Sequence, residues 1–202
     1  MKKLLIPIII LAVLAFGIYS WAVGFNNTAV TYEANAKTEW SNVESAYQRR
    51  NDLIGNLVKT VQGAADFEKG TLESVIKARA EATKTTINAG DLTPENMAKF
   101  QQAQSGLTGA LSKLMVVVER YPELKANQNF LELQSQLEGT ENRINIARNK
   151  FNEKVNIYDI HTTKFPGKLL ASLFGFKEMS RYQADAGSEN AVDVDFDFGD
   201  KK

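Results

Sequence analysis

The chain has 202 residues, with 24 Lys and Arg against 24 Asp and Glu, a single histidine and no cysteine. Zero net charge argues against a nucleic-acid partner, which requires a basic surface to release counterions from phosphates. Without cysteine there are no disulfides, thiolate nucleophiles, zinc–cysteine sites or lipoprotein acylation, and one histidine excludes two-histidine metal motifs. With only four prolines and plentiful Ala, Leu, Glu, Lys and Gln, the composition favours long helices.

Met1-Lys2-Lys3 precedes an uncharged run of 22 residues, Leu4 to Phe25, and about 20 suffice to cross the hydrocarbon core. Pro7 sits in the first turn, where its missing N–H costs little, and Tyr19, Trp21 and Phe25 gather where aromatic rings favour a membrane interface. Two lysines, Lys2 and Lys3, and the amino terminus before the span, against the single Lys37 among Glu33, Glu39 and Glu44 beyond it, place the N-terminus in the cytoplasm and the remainder outside by the positive-inside rule. A cleaved signal peptide is the alternative, since Ser20-Trp21-Ala22 has small residues at the two positions a signal peptidase reads. The length of the apolar run favours a retained anchor.

Three helical patterns follow. The first runs from Tyr32 through Trp40, Tyr47, Ile54 and Val61 to Ala78 in steps of three and four. It reads as one long helix over 28–88, kinked at Gly55 if anywhere; two separate helices are the alternative. Asn88-Ala89-Gly90-Asp91 is a candidate C-cap, and Thr93-Pro94 places an N-cap and an N1 proline ahead of the second pattern, Met97 to Tyr121. Tyr121-Pro122-Glu123 turns into the third, Phe130 to Tyr158. Such short connections imply antiparallel neighbours. His161 is expected in the loop after the third helix. Beyond Phe165-Pro166-Gly167, Lys168–Phe176 reads as a short amphipathic helix that caps the bundle in preference to touching the membrane. Asp66, Glu68 and Glu73 read as a solvated helix face. The acidic tail ends with Val192, Val194, Phe196 and Phe198 alternating with Asp. This is a strand pattern with no sheet to join: either a disordered end or a peptide that adds a strand to a partner's sheet.

Residues 47–61, Tyr-Gln-Arg-Arg-Asn-Asp-Leu-Ile-Gly-Asn-Leu-Val-Lys-Thr-Val, resemble the signature of the LemA family through Gln48, Arg49, Arg50, Asp52, Leu53, Ile54, Asn56, Leu57 and Val58. Tyr121-Pro122-Glu123-Leu124-Lys125, Leu137 to Ile144, and Phe165-Pro166 through Phe176 extend the likeness over nearly the whole chain after residue 28. Gly55 departs from it, since the family usually carries proline there. The resemblance implies a membrane segment and a bundle of long antiparallel helices; it supplies a fold and a location, not a reaction.

Independently of that likeness, the helical stepping puts Arg50 in a core-facing slot between Tyr47 and Ile54, and on the third helix it meets Glu141. A buried arginine requires a partner, so a structural polar layer of Arg50 and Glu141 is expected. The competing reading is an anion or partner contact formed by Arg49, Arg50 and Asn56. The expected fold is therefore all-α, an N-terminal transmembrane helix followed by an antiparallel bundle of three to four long helices. It divides into an anchor (1–27), a helical domain (28–183) and a tail (184–202). The expected role is a non-enzymatic, single-pass scaffold or adaptor in the bacterial cytoplasmic membrane, its bundle extracytoplasmic and its partner another envelope protein. No cofactor, metal or nucleic acid is expected. A sensory or carrier domain for a small anion or peptide near Arg49 and Arg50 is the alternative.

Overall fold

A computed structural model of the protein describes residues 2–63 and 67–183, and they are all-helical with no strand among them. The elements are α1 (Lys2–Gln62), α2 (Lys69–Lys84), α3 (Pro94–Val118), α4 (Pro122–Lys125), α5 (Gln128–Thr163) and α6 (Gly167–Phe174). The alternating tail residues Val192, Val194, Phe196 and Phe198 lie outside the described residues, as does Asp66.

α1 is a single helix of 61 residues that carries the apolar run and then enters the bundle without a break. The side chains of residues 5–20 are all exposed, and the run meets the length and apolarity expected of one candidate membrane span. Burial begins at Phe25 and recurs at Ala29, Ala36, Trp40, Val43 and Tyr47, the three-and-four spacing of a packed helix.

The first helical pattern does not form one helix to residue 88. The chain leaves α1 at Gln62-Gly63 and starts α2 at Lys69. The apolar phase continues across this break, so periodicity alone does not reveal it. Gly55 is not a kink either. It is a notch that receives the guanidinium of Arg79: a Cβ there would lie 3.0 Å from Arg79 Nη2. α2 ends at Lys84, and its cap residue Thr85 donates its N–H to Glu81 O at 3.0 Å. Residues 88–91 form a separate turn, closed by Asp91 N donating to Asn88 O at 2.8 Å, rather than the helix C-cap. Thr93 caps α3 through Asn96 N, with Pro94 in the first turn.

α1 and α5 form the main antiparallel pair, and α2 and α3 pack beside them to complete an up-down-up-down bundle. The core lies in three sections along the axis. Phe25, Ala29 and Ala171 form the section beside the apolar span. Trp40, Tyr47, Phe100, Ile144 and Phe151 fill the middle, and Ile54, Leu57, Leu107, Leu114 and Phe130 fill the far end. His161 does not lie in a loop. It occupies the last turn of α5, stacked on Phe25 with ring centroids 4.5 Å apart.

Candidate functional site

Arg50 lies between the middle and far core sections, only 1% exposed. Its Nη1 donates to Glu141 Oε1 at 3.0 Å and to Thr108 Oγ1 at 3.3 Å, and its Nη2 donates to Gln104 Oε1. The guanidinium carbon sits 4.9 Å from the centre of the Tyr47 ring, a cation–π arrangement. Three long helices thus converge on one cation. Glu141 is 46% exposed and reaches in from the rim, so one end of the ion pair is desolvated and the other is wet.

Arg49 and Asn56 are both exposed, seven positions apart on one face of α1, whereas Arg50 turns into the core. The structure therefore does not bring these three together around a common ligand position. A second arginine, Arg148 of α5, donates from Nε to Tyr47 Oη at 2.9 Å and lies 4.0 Å over the Tyr182 ring. The Tyr47 and Tyr182 hydroxyls are 2.8 Å apart.

Tyr182 belongs to a strap, residues 175–183, that runs back along α5. Asn152 holds it at both edges, donating to Tyr182 O at 2.9 Å and accepting from Tyr182 N at 2.8 Å. Asp159 accepts from Met179 N at 3.3 Å, and Tyr158 donates to Lys177 O at 2.8 Å. The Tyr158 phenol is pushed up to about 12, mainly by burial and then by the nearby Glu33 and Asp159 carboxylates, with the Lys177 backbone pulling the other way.

Beside the arginine layer, α1, α2 and α3 enclose a cleft of about 480 Å³. Tyr47, Phe100 and Ala82 supply its apolar wall, and its polar lining includes Asn51, Arg79 and two carboxylates, Glu44 and Asp52. Arg79 Nε donates to Asn51 O at 2.7 Å, a contact the Gly55 notch makes possible. Asn51 is 7% exposed, and its Oδ1 has no hydrogen-bond partner among the described residues, an arrangement that calls for a donor. Burial raises the Glu44 carboxyl above its ordinary value, partly offset by the Trp40 side chain. Gln104 belongs to both places, lining the cleft while accepting from Arg50. Sequence reasoning gave neither Asn51 nor Arg79 a place in a site, although Ala78-Arg79-Ala80 belongs to the family likeness. The usable signal was the glycine itself, in a helical seam where a side chain would otherwise be expected.

A model described as the LemA family matches residues 39–196, which include the arginine layer, the strap and the cleft. The chain is similar to magnetosome protein MamQ of Magnetospirillum gryphiswaldense, 27% identical over 211 aligned positions that cover 94% of this chain and 75% of that protein. Magnetosome protein MamQ 2 of Paramagnetospirillum magneticum is 29% identical over 187, covering 82% of this chain and 67% of that one. Protein LemA of Metamycoplasma hominis is 23% identical over 188, with coverages of 88% and 81%.

Proposed function

This chain belongs to the LemA family, and from that premise we propose that it is a membrane-anchored, non-enzymatic scaffold that holds a docking surface at a fixed height above the bilayer. The observation that carries this reading is the continuity of α1 from the apolar run to Gln62. A jointed anchor would let the bundle tumble; an unbroken helix does not. From Phe25 to Gln62 the helix rises roughly 55 Å at 1.5 Å per residue. The non-enzymatic reading draws support from the absence of cysteine and from His161, whose ring is taken up by Phe25 and Tyr32. Lys2 and Lys3 favour a cytoplasmic N-terminus and an extracytoplasmic bundle, with another envelope protein as partner.

The test uses a photocrosslinking residue in place of Lys113, on the exposed face of α3. The full chain should give a discrete membrane-protein adduct. That adduct should disappear when a flexible Gly-Ser insert of about ten residues follows Val23, leaving the bundle from Phe25 onward intact. Persistence of the adduct despite the insert would refute fixed spacing, and failure of every exposed helix face to crosslink would refute the scaffold. Orientation is checked with Ser112→Cys and a membrane-impermeant maleimide on intact cells whose outer membrane, if any, is permeabilised; protection until lysis would reverse it.

A second reading is favoured by the cleft. Its unsatisfied Asn51 amide, Arg79 cation and aromatic wall suit a small anion or short peptide bearing an N–H donor. That ligand position is on the α2 side of α1, and neither Arg49 nor Asn56 lines it. Thermal stabilisation by such a ligand, lost in Arg79→Met, would support it; an unshifted melting temperature across a panel of carboxylates and dipeptides counts against it.

A further inference from the structure

We infer that α6 is an interfacial helix whose outer face rests in the phospholipid headgroup region, making a second contact with the same bilayer that the apolar run of α1 crosses. The inference rests on the membrane-spanning reading of α1. Its starting point is where α6 sits. Gly167 and Ala171 are buried, and a Cβ at Gly167 would lie 2.7 Å from Phe25 Cε2. Phe176, just beyond α6, sets its ring edge-on to Phe25 with centroids 6.4 Å apart. Phe25 is the last residue of the apolar run, and Trp21, 44% exposed, lies one helical turn earlier. So α6 is packed at the level where the span ends.

The other face of α6 is apolar and uncovered. Leu169 is 65% exposed and Leu173 76%, four residues apart and roughly opposite Gly167 and Ala171 on the helix; Phe165, in the preceding turn, is 83% exposed. A helix that served only to cap the bundle would bury these side chains, and α6 buries its small residues Gly167 and Ala171 instead. Lys164 and Lys168 are exposed beside them, with stems long enough to lie along apolar surface while their ammonium groups reach lipid phosphates. Apolar side chains on one face, flanking lysines and adjacency to a membrane span together describe a helix lying in the interface. Continuity with the span selects lipid as the occupant, because a bilayer enclosing residues 5–24 meets this face without any further partner.

The cysteine-free chain permits a direct test. Leu169→Cys and Leu173→Cys, both at exposed positions, are labelled with an environment-sensitive nitrobenzoxadiazole dye. The full chain is reconstituted in phosphatidylcholine–phosphatidylglycerol vesicles containing lipid with a spin label just below the headgroup. Both labels should be quenched about two-fold, as expected for burial to roughly 5–10 Å, while a label at Gln102→Cys on the exposed side of α3 should be unaffected. A label at Leu11→Cys, tested with a quencher deeper in the acyl chains, reports on the span. Quenching at Leu11 without quenching at Leu169 and Leu173 would overturn the inference and leave the span standing. Emission blue-shifted at both leucine positions but insensitive to the lipid quencher would also overturn it, in favour of a protein such as a second copy covering the face. An unquenched Leu11 label would remove the membrane-spanning reading and this inference with it.

Discussion

Replacing Glu141 with Gln tests the arginine layer with the least disturbance. The substitution keeps an oxygen acceptor at the same reach, so the packing around Arg50 is unchanged and only charge is removed. A hydrogen bond to a charged group contributes about 1.5–3 kcal/mol and a neutral one about 0.5–1.5. With Arg50 still bonded to Gln104 and Thr108, and Glu141 half in water, the expected loss is about 1 kcal/mol rather than the roughly 3–5 of a fully buried pair. Arg50→Met is costlier, about 3 kcal/mol, because Gln104 Oε1 loses its Arg50 donor inside the core. Urea unfolding of the full chain in mild detergent, followed by far-UV circular dichroism, gives both values. The double variant then gives the coupling, expected at about 1 kcal/mol. It should survive about 0.5 M salt, since the arginine end is shielded from ions. A coupling within about 0.3 kcal/mol of zero would refute the claim that this ion pair holds α1 to α5.

Glu44→Gln should raise the melting temperature at neutral pH. A carboxyl whose folded pKa is raised binds its proton more tightly in the native state, so stability falls as pH rises through that pKa; the gain from Gln should therefore vanish toward pH 4.5, the ordinary value, and a pH-independent gain would refute it. Tyr158 should ionise near pH 12, so Tyr158→Phe should remove a phenolate absorbance step there in an alkaline titration. Gly167→Ala should cost roughly 1–3 kcal/mol, because the new methyl meets backbone as well as side chain, 2.9 Å from His161 O. Hydrogen exchange should localise the loosening to residues 167–176; undiminished protection there would count against the tight seat of α6 on α1.

Local signals were legible where a single turn carries them. Thr93 and Pro94 mark the start of α3 because the cap and the N1 proline act within four residues. The seam positions Trp40, Tyr47, Ile54, Leu107, Ile144 and Phe151 are legible because burial recurs at the helical period, and that same stepping places Arg50 inward. The stop at Gly63 is not legible in this way, since the apolar register of α2 happens to continue that of α1 across the break. The strap was missed for a different reason. It has no periodicity of its own and is held by side chains of α5, whose Asn152, Asn156 and Asp159 form a polar row at helical spacing. That row is visible in the sequence, but nothing local says which backbone it will grip. The cleft depends on Arg79 meeting Gly55 across two helices, an apposition that becomes apparent only once the hairpin between α1 and α2 is closed.

On the proposed membrane-anchored reading, the unbroken α1 also fixes an azimuth. Because span and bundle share one helical phase, each residue added between them would turn the bundle about 100° around the membrane normal and lift it about 1.5 Å. Adding seven would return nearly the same face to the same neighbour, about 20° out of phase and about 10 Å higher. A protein that grips the span and touches the bundle at once therefore meets a surface whose compass bearing, and not only its height, is set by residue count. Within the LemA family, length differences in this stretch would select which face of the bundle is turned toward whatever sits beside the anchor.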